Sequence, residues 1–79
     1  MSHLANWYAA GRFGGQSALA TCMRCTPEAA VRLAAKEART RYPGTDFSQW
    51  VFTAEEFGFG RRVVLRFVVD LTGEPIRVH

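Results

Sequence analysis

Two cysteines stand three positions apart in the run Cys22-Met-Arg-Cys25, a spacing used by zinc sites and redox-active disulfides. A zinc site needs a second ligand pair, and the only histidines are His3 and His79, at opposite ends of the chain. A thioredoxin-type site begins at a helix N-terminus, whereas the helix predicted here begins five residues after Cys22. In a strand, cysteines at this spacing face opposite sides and do not pair easily. We therefore favour the interpretation that Cys22 and Cys25 are small buried hydrophobic residues, and we expect no metal and no cofactor.

The segment Phe57-Gly-Phe-Gly60, which leads into two arginines, resembles part of the RNA-recognition-motif signature. That signature has a basic residue before its Gly-aromatic pattern and a further aromatic residue after it, and its aromatic residues stack on bases. When Gly58 is aligned, Phe57 takes the basic position, and Arg61 and Val64 take aromatic positions. Because residues for stacking are missing there, we prefer a glycine-rich hairpin turn.

Basic residues outnumber acidic ones by ten to seven, which gives a formal net charge of +3. Nine of the ten are arginine, a bias that favours bidentate contacts but that a GC-rich genome also produces. Five of them are candidates for one basic patch that binds phosphate or an acidic protein surface: Arg12, Arg24, Arg61, Arg62 and Arg66. The alternative is a solvated edge that prevents aggregation. Neither the acidic residues nor any glycine-rich loop has catalytic spacing, so we predict no enzyme and no catalytic residue.

The clearest element is a helix from about Pro27 to Tyr42. Thr26 is a suitable N-cap, proline is tolerated at the first helical position, and Pro43-Gly44 ends the run. At 100° per residue, one stripe of mostly small residues faces the core; it consists of Pro27, Val31, Ala34, Ala35, Ala38 and Tyr42. Leu33 is the exception, since it points away from this stripe.

Alternating apolar residues predict strands on both sides of the helix. After the helix the strands are Gln49–Glu55, Arg61–Leu71 and a short Ile76–Val78. In the first of them Trp50, Phe52 and Ala54 share one face. In the second, alternate residues face the core: Val63, Leu65, Phe67, Val69 and Leu71. Before the helix, Trp7–Phe13 and Ser17–Cys25 fit a hairpin around Gly14-Gly15, although the second segment is also compatible with a helix. The sequence therefore predicts an α+β fold, with a single helix on one face of a four- to five-stranded antiparallel sheet, in the order ββαββ(β).

The chain has 79 residues, 48% of them hydrophobic, which predicts one small α+β domain over residues 1–79. No apolar run approaches the ~20 residues that span a bilayer. The first seven residues lack a basic region followed by an apolar core, so we do not expect them to act as a signal peptide. We therefore expect a cytoplasmic protein without membrane contact. A sheet with one helix leaves one face uncovered, and here that face has Val64 and Val68 among arginines. It is either an ordinary partly apolar surface or a docking face.

In its layout the chain resembles small proteins of phages and mobile elements, including anti-CRISPR inhibitors. The shared features are the short chain, a β-hairpin, an alanine-rich helix introduced by Thr26-Pro-Glu-Ala-Ala30, and a closing hairpin. The resemblance implies a helix-on-sheet fold and a non-enzymatic inhibitor in the host cytoplasm. DNA-mimicking inhibitors are acidic and this chain is basic, so it implies direct occlusion of a protein surface or nucleic-acid-binding channel.

We therefore predict a protein-binding module that occupies a surface of its partner, such as a CRISPR effector complex, or a second copy of itself as a homodimer. Its candidate contacts are the five arginines named above together with Leu33, Val64 and Val68. The alternative is a small basic nucleic-acid-binding module that uses the arginines. A third interpretation, redox activity at Cys22 and Cys25, predicts a reducible intrachain disulfide.

Overall fold

The computed structural model describes residues 4–58 and 63–78, and its single helix, α1, spans Pro27–Arg41. The N-cap is the predicted one, since the hydroxyl of Thr26 accepts a hydrogen bond from the backbone N–H of Ala29 at 3.1 Å. At the other end Tyr42 is the C-cap, and its N–H donates to the carbonyl of Ala38 at 2.8 Å. The sequence prediction of the helix and both of its ends is thus confirmed.

Five antiparallel strands form one sheet in the order β2-β1-β3-β4-β5. Their bounds are Ala5–Phe13 for β1, Gln16–Cys25 for β2, Val51–Phe57 for β3, Val64–Val69 for β4 and Pro75–Val78 for β5. The predicted fold class and element order are confirmed, and the segment before the helix is a strand. The β1–β2 hairpin turns at Gly14, whose φ of 58° is a conformation that glycine adopts without strain.

The core lies between α1 and one face of the sheet, which we call the inner face. Small side chains supply the contact from both layers: Ala30, Ala34 and Ala38 of the helix are fully buried, as are Ala9 and Ala54 of the sheet. Without long side chains between them, helix and sheet approach closely, and α1 lies mainly over β1 and β2. The predicted helix stripe is buried from Pro27 to Ala38, Ala30 extends it, and its last member, Tyr42, is half-buried.

Aromatic residues fill the core beyond the C-terminal end of the helix. Trp50 stacks on Phe52 with ring centroids 5.9 Å apart, and Phe47 meets Phe52 edge-on at 6.0 Å. Phe13 also stacks on Trp50, with ring centroids 6.4 Å apart, and Tyr42 packs against Trp50 at an angle. Large rings thus complete at this end a core that alanines alone would leave open.

All five strands differ from their predicted bounds by one to three residues at one or both ends, and two of these differences have clear local causes. A short 3₁₀ turn at Phe47–Gln49 precedes β3, because the carboxylate of Asp46 accepts from the N–H of Ser48 at 2.8 Å and caps that turn. Strand β4 ends at Val69, because the Asp70 carboxylate closes a turn. Leu71, predicted to face the core, therefore lies in this turn and is 92% exposed.

The Asp70 turn is held by one carboxylate oxygen. It accepts hydrogen bonds from the N–H and hydroxyl of Thr72, at 2.9 and 2.6 Å, and from the N–H of Glu74 at 2.9 Å. These bonds lower the pKa of Asp70 below its ordinary 3.8, and the Thr72 hydroxyl bond is the largest cause. The predicted start of this strand at Arg61 lies outside the described residues, as does Arg62.

Candidate binding surface

Among residues 4–58 and 63–78, no helix lies over the sheet face opposite α1, which we call the outer face. Strand alternation places Val64, Arg66 and Val68 of β4 on this face, and Ile76 and Val78 of β5 beside them. In the pairing register Val68 lies opposite Ile76 and Arg66 lies opposite Val78. The four aliphatic side chains are between 36% and 52% exposed. We call these five residues the β4–β5 patch; it is an apolar surface around one cation.

A shallow depression lies on the same face, across β1, β2 and β3. Its lining comprises Tyr8, Thr21, Glu55 and Phe57, around a volume of about 410 Å³. Tyr8 stands between its two cross-strand neighbours, Thr21 and Glu55, and is 38% exposed. An exposed phenol beside an apolar depression is the type of residue that anchors protein interfaces.

The predicted basic patch is divided by the fold. Arg12 and Arg66 share the outer face, since Arg12 is paired with Val51 of β3. Arg24 lies at the far end of β2, about 23 Å along the strand from the position opposite Arg12. The structure therefore does not bring Arg12 and Arg24 together as one patch, because they stand at opposite ends of the same hairpin.

The remaining predicted contacts fall on different surfaces. Val64 and Val68 are exposed on the outer face, as expected, whereas Leu33 is exposed on the helix, on the opposite side of the sheet. Arg61 and Arg62 lie outside the described residues. Tyr8 was missed by the sequence analysis, although the alternation of buried Trp7 and Ala9 in the same strand identifies it as an outer-face residue.

The cysteine pair contradicts the favoured sequence interpretation, in which Cys22 and Cys25 are unpaired buried residues. Cys22 pairs with Trp7 and Cys25 pairs with Ala5, so three residue steps along β2 lie opposite two along β1. The extra residue forms a bulge at Arg24, whose φ is 51°. The extra residue turns both cysteines to the same side, where they form a disulfide with Cα atoms 6.1 Å apart. Asn6 supports the bulge, because its side-chain oxygen accepts from the N–H of Arg24 at 3.1 Å.

Ionisable groups on the described part of the chain do not assemble into a metal-binding cluster. No three His, Cys, Asp or Glu side chains among these residues converge as metal ligands. The pKa of Arg32 is raised, chiefly by its hydrogen bond to Glu74, but this pair lies at the helix surface rather than on the outer face. Within the same residues, no helix has the length and hydrophobicity of a membrane-spanning segment.

These features define a small α+β domain with one helix, one antiparallel sheet and an uncovered sheet face. Comparisons with protein-family models, curated proteins and solved structures return no match to this chain. The chemistry of the outer face is therefore the basis on which a function can be inferred.

Proposed function

We propose that the protein is a non-enzymatic binding module that docks its outer sheet face on a partner protein. The observation that carries the proposal is the β4–β5 patch, in which exposed aliphatic side chains surround Arg66. Contiguous exposed apolar residues on a small domain commonly mark an interaction site. Tyr8 and its depression extend this surface towards β1.

The charges of the outer face indicate the chemistry of the partner. Arg66 stands inside the β4–β5 patch and Arg12 near the hairpin end of β1, while the whole chain carries a net charge of +3. Arginine pairs with carboxylates in a bidentate geometry and also packs against apolar groups. The complementary surface is therefore an apolar protein patch with carboxylates at its rim.

The layout resemblance to anti-CRISPR inhibitors makes a CRISPR effector complex the first partner to test. In this finer form of the proposal, the protein works in the cytoplasm of a phage-infected host and blocks the complex by occupying a surface. Direct occlusion suits a basic chain better than DNA mimicry, which requires negative charge.

Matched charge reversals test the docking surface. Tagged protein is incubated with nuclease-treated lysate and with a purified effector complex, and the bound proteins are identified by mass spectrometry. Arg66→Glu places a carboxylate in the β4–β5 patch, whereas Lys36→Glu makes the same charge change on the exposed helix. We expect capture to be lost with Arg66→Glu and kept with Lys36→Glu. Equal capture by both variants, or no specific capture by the natural chain, would refute the proposal.

Nucleic-acid binding is the second candidate, and one observation favours it. Tyr8 and Phe57 line the same depression on an open sheet face, and exposed aromatic rings on a sheet can stack on unpaired bases. This candidate predicts single-strand binding that weakens steeply with salt and is lost in Tyr8→Ala. Failure of single-stranded RNA and DNA to bind at low salt excludes it. We favour protein binding, because aliphatic side chains make up most of the β4–β5 patch.

A further inference from the structure

The two edges of the sheet are built differently. Strand β5 has four residues, begins with Pro75 and carries Arg77, whose guanidinium lies 3.8 Å from Glu28 and over the ring of Phe67. A short strand with a proline and a held charge resists the addition of another strand. Strand β2 has ten residues, and the stretch 16–23 has no charged residue. Within this stretch it has neither the proline nor the charged side chains that commonly protect an edge strand.

The backbone of β2 offers hydrogen-bonding groups at this edge. The N–H of Ser17 donates to the hydroxyl of Tyr42 at 3.3 Å, and the same hydroxyl donates to the carbonyl of Ser17 at 3.4 Å. The backbone groups of Ser17 therefore point away from β1. Because this direction alternates along a strand, Leu19 and Thr21 also direct their N–H and C=O groups to the free edge. No described residue meets them as Tyr42 meets Ser17.

The open part of this edge has defined ends. Tyr42 occupies the backbone groups of Ser17 at one end, and the bulge at Arg24 interrupts the strand at the other. The pairing stretch between these two features is residues 18–23. Within it Leu19 is 50% exposed, and its side chain flanks the edge on the outer face.

Leu33 flanks the same edge on the helix side. On the helical wheel, Arg32 and Leu33 lie on opposite flanks of the buried stripe. Arg32 is bonded to Glu74 at 3.0 and 3.1 Å, directly before β5, so its flank faces that end of the sheet. The flank with Leu33, which is 43% exposed, therefore faces the β2 side. Leu33 is also near the middle of α1, as Ala20 is near the middle of β2.

The geometry points to a two-fold symmetric homodimer in which β2 pairs antiparallel with β2 of a second copy and Leu33 packs against its symmetry mate. With the axis beside Ala20, Leu19 of each copy lies opposite Thr21 of the other. Each such pair exchanges two main-chain bonds, which gives about four in total. The dimer has a continuous ten-stranded sheet and closes the free edge of both copies.

Helix spacing in this dimer supports a second copy as the occupant. Strands in a sheet are about 4.8 Å apart. The helix packs mainly against β2 and β1. With its axis taken midway between these two strands, it lies about 2.4 Å inside β2, and the two-fold axis lies about 2.4 Å outside β2. The two helices are then about 10 Å apart, at the upper end of the 8–10 Å range of packed helices. The same pairing that satisfies the strand edges therefore brings the two Leu33 side chains together.

A charge-exchange experiment at Leu33 tests this dimer. Analytical ultracentrifugation of the natural chain from about 1 μM to about 1 mM covers the range in which small interfaces associate. We expect a concentration-dependent dimer that Leu33→Glu and Leu33→Arg each weaken by at least about tenfold, because like charges meet at the axis. An equal mixture of the two variants should restore dimerisation. Lys36→Glu is the matched helix-surface control and should dimerise as the natural chain does.

Amide hydrogen exchange tests the strand pairing separately. On dilution from dimer to monomer, the amides of Leu19 and Thr21 should lose protection, while those of Ala18 and Ala20, which face β1, should keep it. A chain that is monomeric at 1 mM overturns the proposal. So does a dimer that is insensitive to charge at Leu33, or one that Arg66→Glu abolishes, since that dimer would use the outer face. Circular dichroism shows whether each variant is folded. Failure of the dimer proposal would leave the docking proposal standing, because Leu33 lies outside the outer face.

Discussion

Gly11 occupies a position in β1 where even one methyl group would collide with the core. It is paired with Phe52, and a Cβ built on it would lie 2.7 Å from Cδ2 and 2.9 Å from Cζ of that ring, closer than ordinary contact. The ring has little room to move, because it is fully buried against Trp50 and Phe47. We therefore expect Gly11→Ala to destabilise the domain sharply, although alanine is otherwise a mild substitution.

The expected magnitude follows from the cost of adding a methyl group to a closed core. Overpacking of this kind costs about 1–3 kcal/mol. For a domain of this size each kcal/mol lowers the melting temperature by about 4–8 °C, so the loss should be about 5–20 °C. Thermal and urea unfolding, followed by circular dichroism, measure it directly.

Gly15→Ala is the matched control, because no atom lies within 4 Å of a Cβ built at Gly15. It should leave stability unchanged or raise it slightly by restricting the unfolded chain. Phe52→Leu should cost less in the Gly11→Ala background than in the natural chain, because the smaller side chain makes room for the methyl group. A Gly11→Ala variant within about 0.5 kcal/mol of the natural chain would show that the ring can move, and the packing argument would be wrong.

Three further results are expected. Thr26→Ala should cost about 1 kcal/mol in urea unfolding, because it leaves the Ala29 N–H without its cap, and an unchanged midpoint would contradict this role. The pKa of Asp70 is lowered in the folded state, so the stability that its carboxylate contributes is present above its ordinary pKa of 3.8 and is lost as the pH falls through the folded value. Melting temperatures measured below pH 5 should therefore depend less on pH in Asp70→Asn than in the natural chain. Equal dependence in the two proteins would refute this role of Asp70. Without reductant, Cys22 and Cys25 should resist alkylation, and after reduction both should react, as mass spectrometry of the alkylated protein would show. Free thiols in the untreated, air-oxidised protein would exclude the disulfide.

The helix and the buried faces of the strands were predictable because their signals are local. Thr26 and Pro27 mark the start of α1, and strand alternation placed Trp50 and Phe52 on one face, as the structure confirms. The order of strands in the sheet was not predictable, since the contact between β1 and β3 joins distant segments. Leu71 was placed wrongly because periodicity continued through a turn that the Asp70 side chain closes.

The candidate surface was predictable only in part. The outer-face valines follow from alternation, but the separation of Arg12 from Arg24 depends on the register of the β1–β2 hairpin. The disulfide depends on a bulge at an arginine with positive φ, and arginine carries no local signal for that conformation. The bulge is held by a hydrogen bond from the backbone N–H of Arg24 to the side-chain oxygen of Asn6, and the spacing of residues along the sequence does not identify Asn6 as this partner.

The alternation of inner and outer faces has an evolutionary consequence. Positions that hold the core, such as Ala9, Ala54 and Phe67, alternate along each strand with positions such as Thr53 and Arg66 that face outward. Substitutions at the second group leave the folded state nearly intact, so the proposed docking surface can diversify quickly while the scaffold is retained. A combinatorial library confined to outer-face positions would exploit the same property, and it should yield folded variants that bind chosen targets.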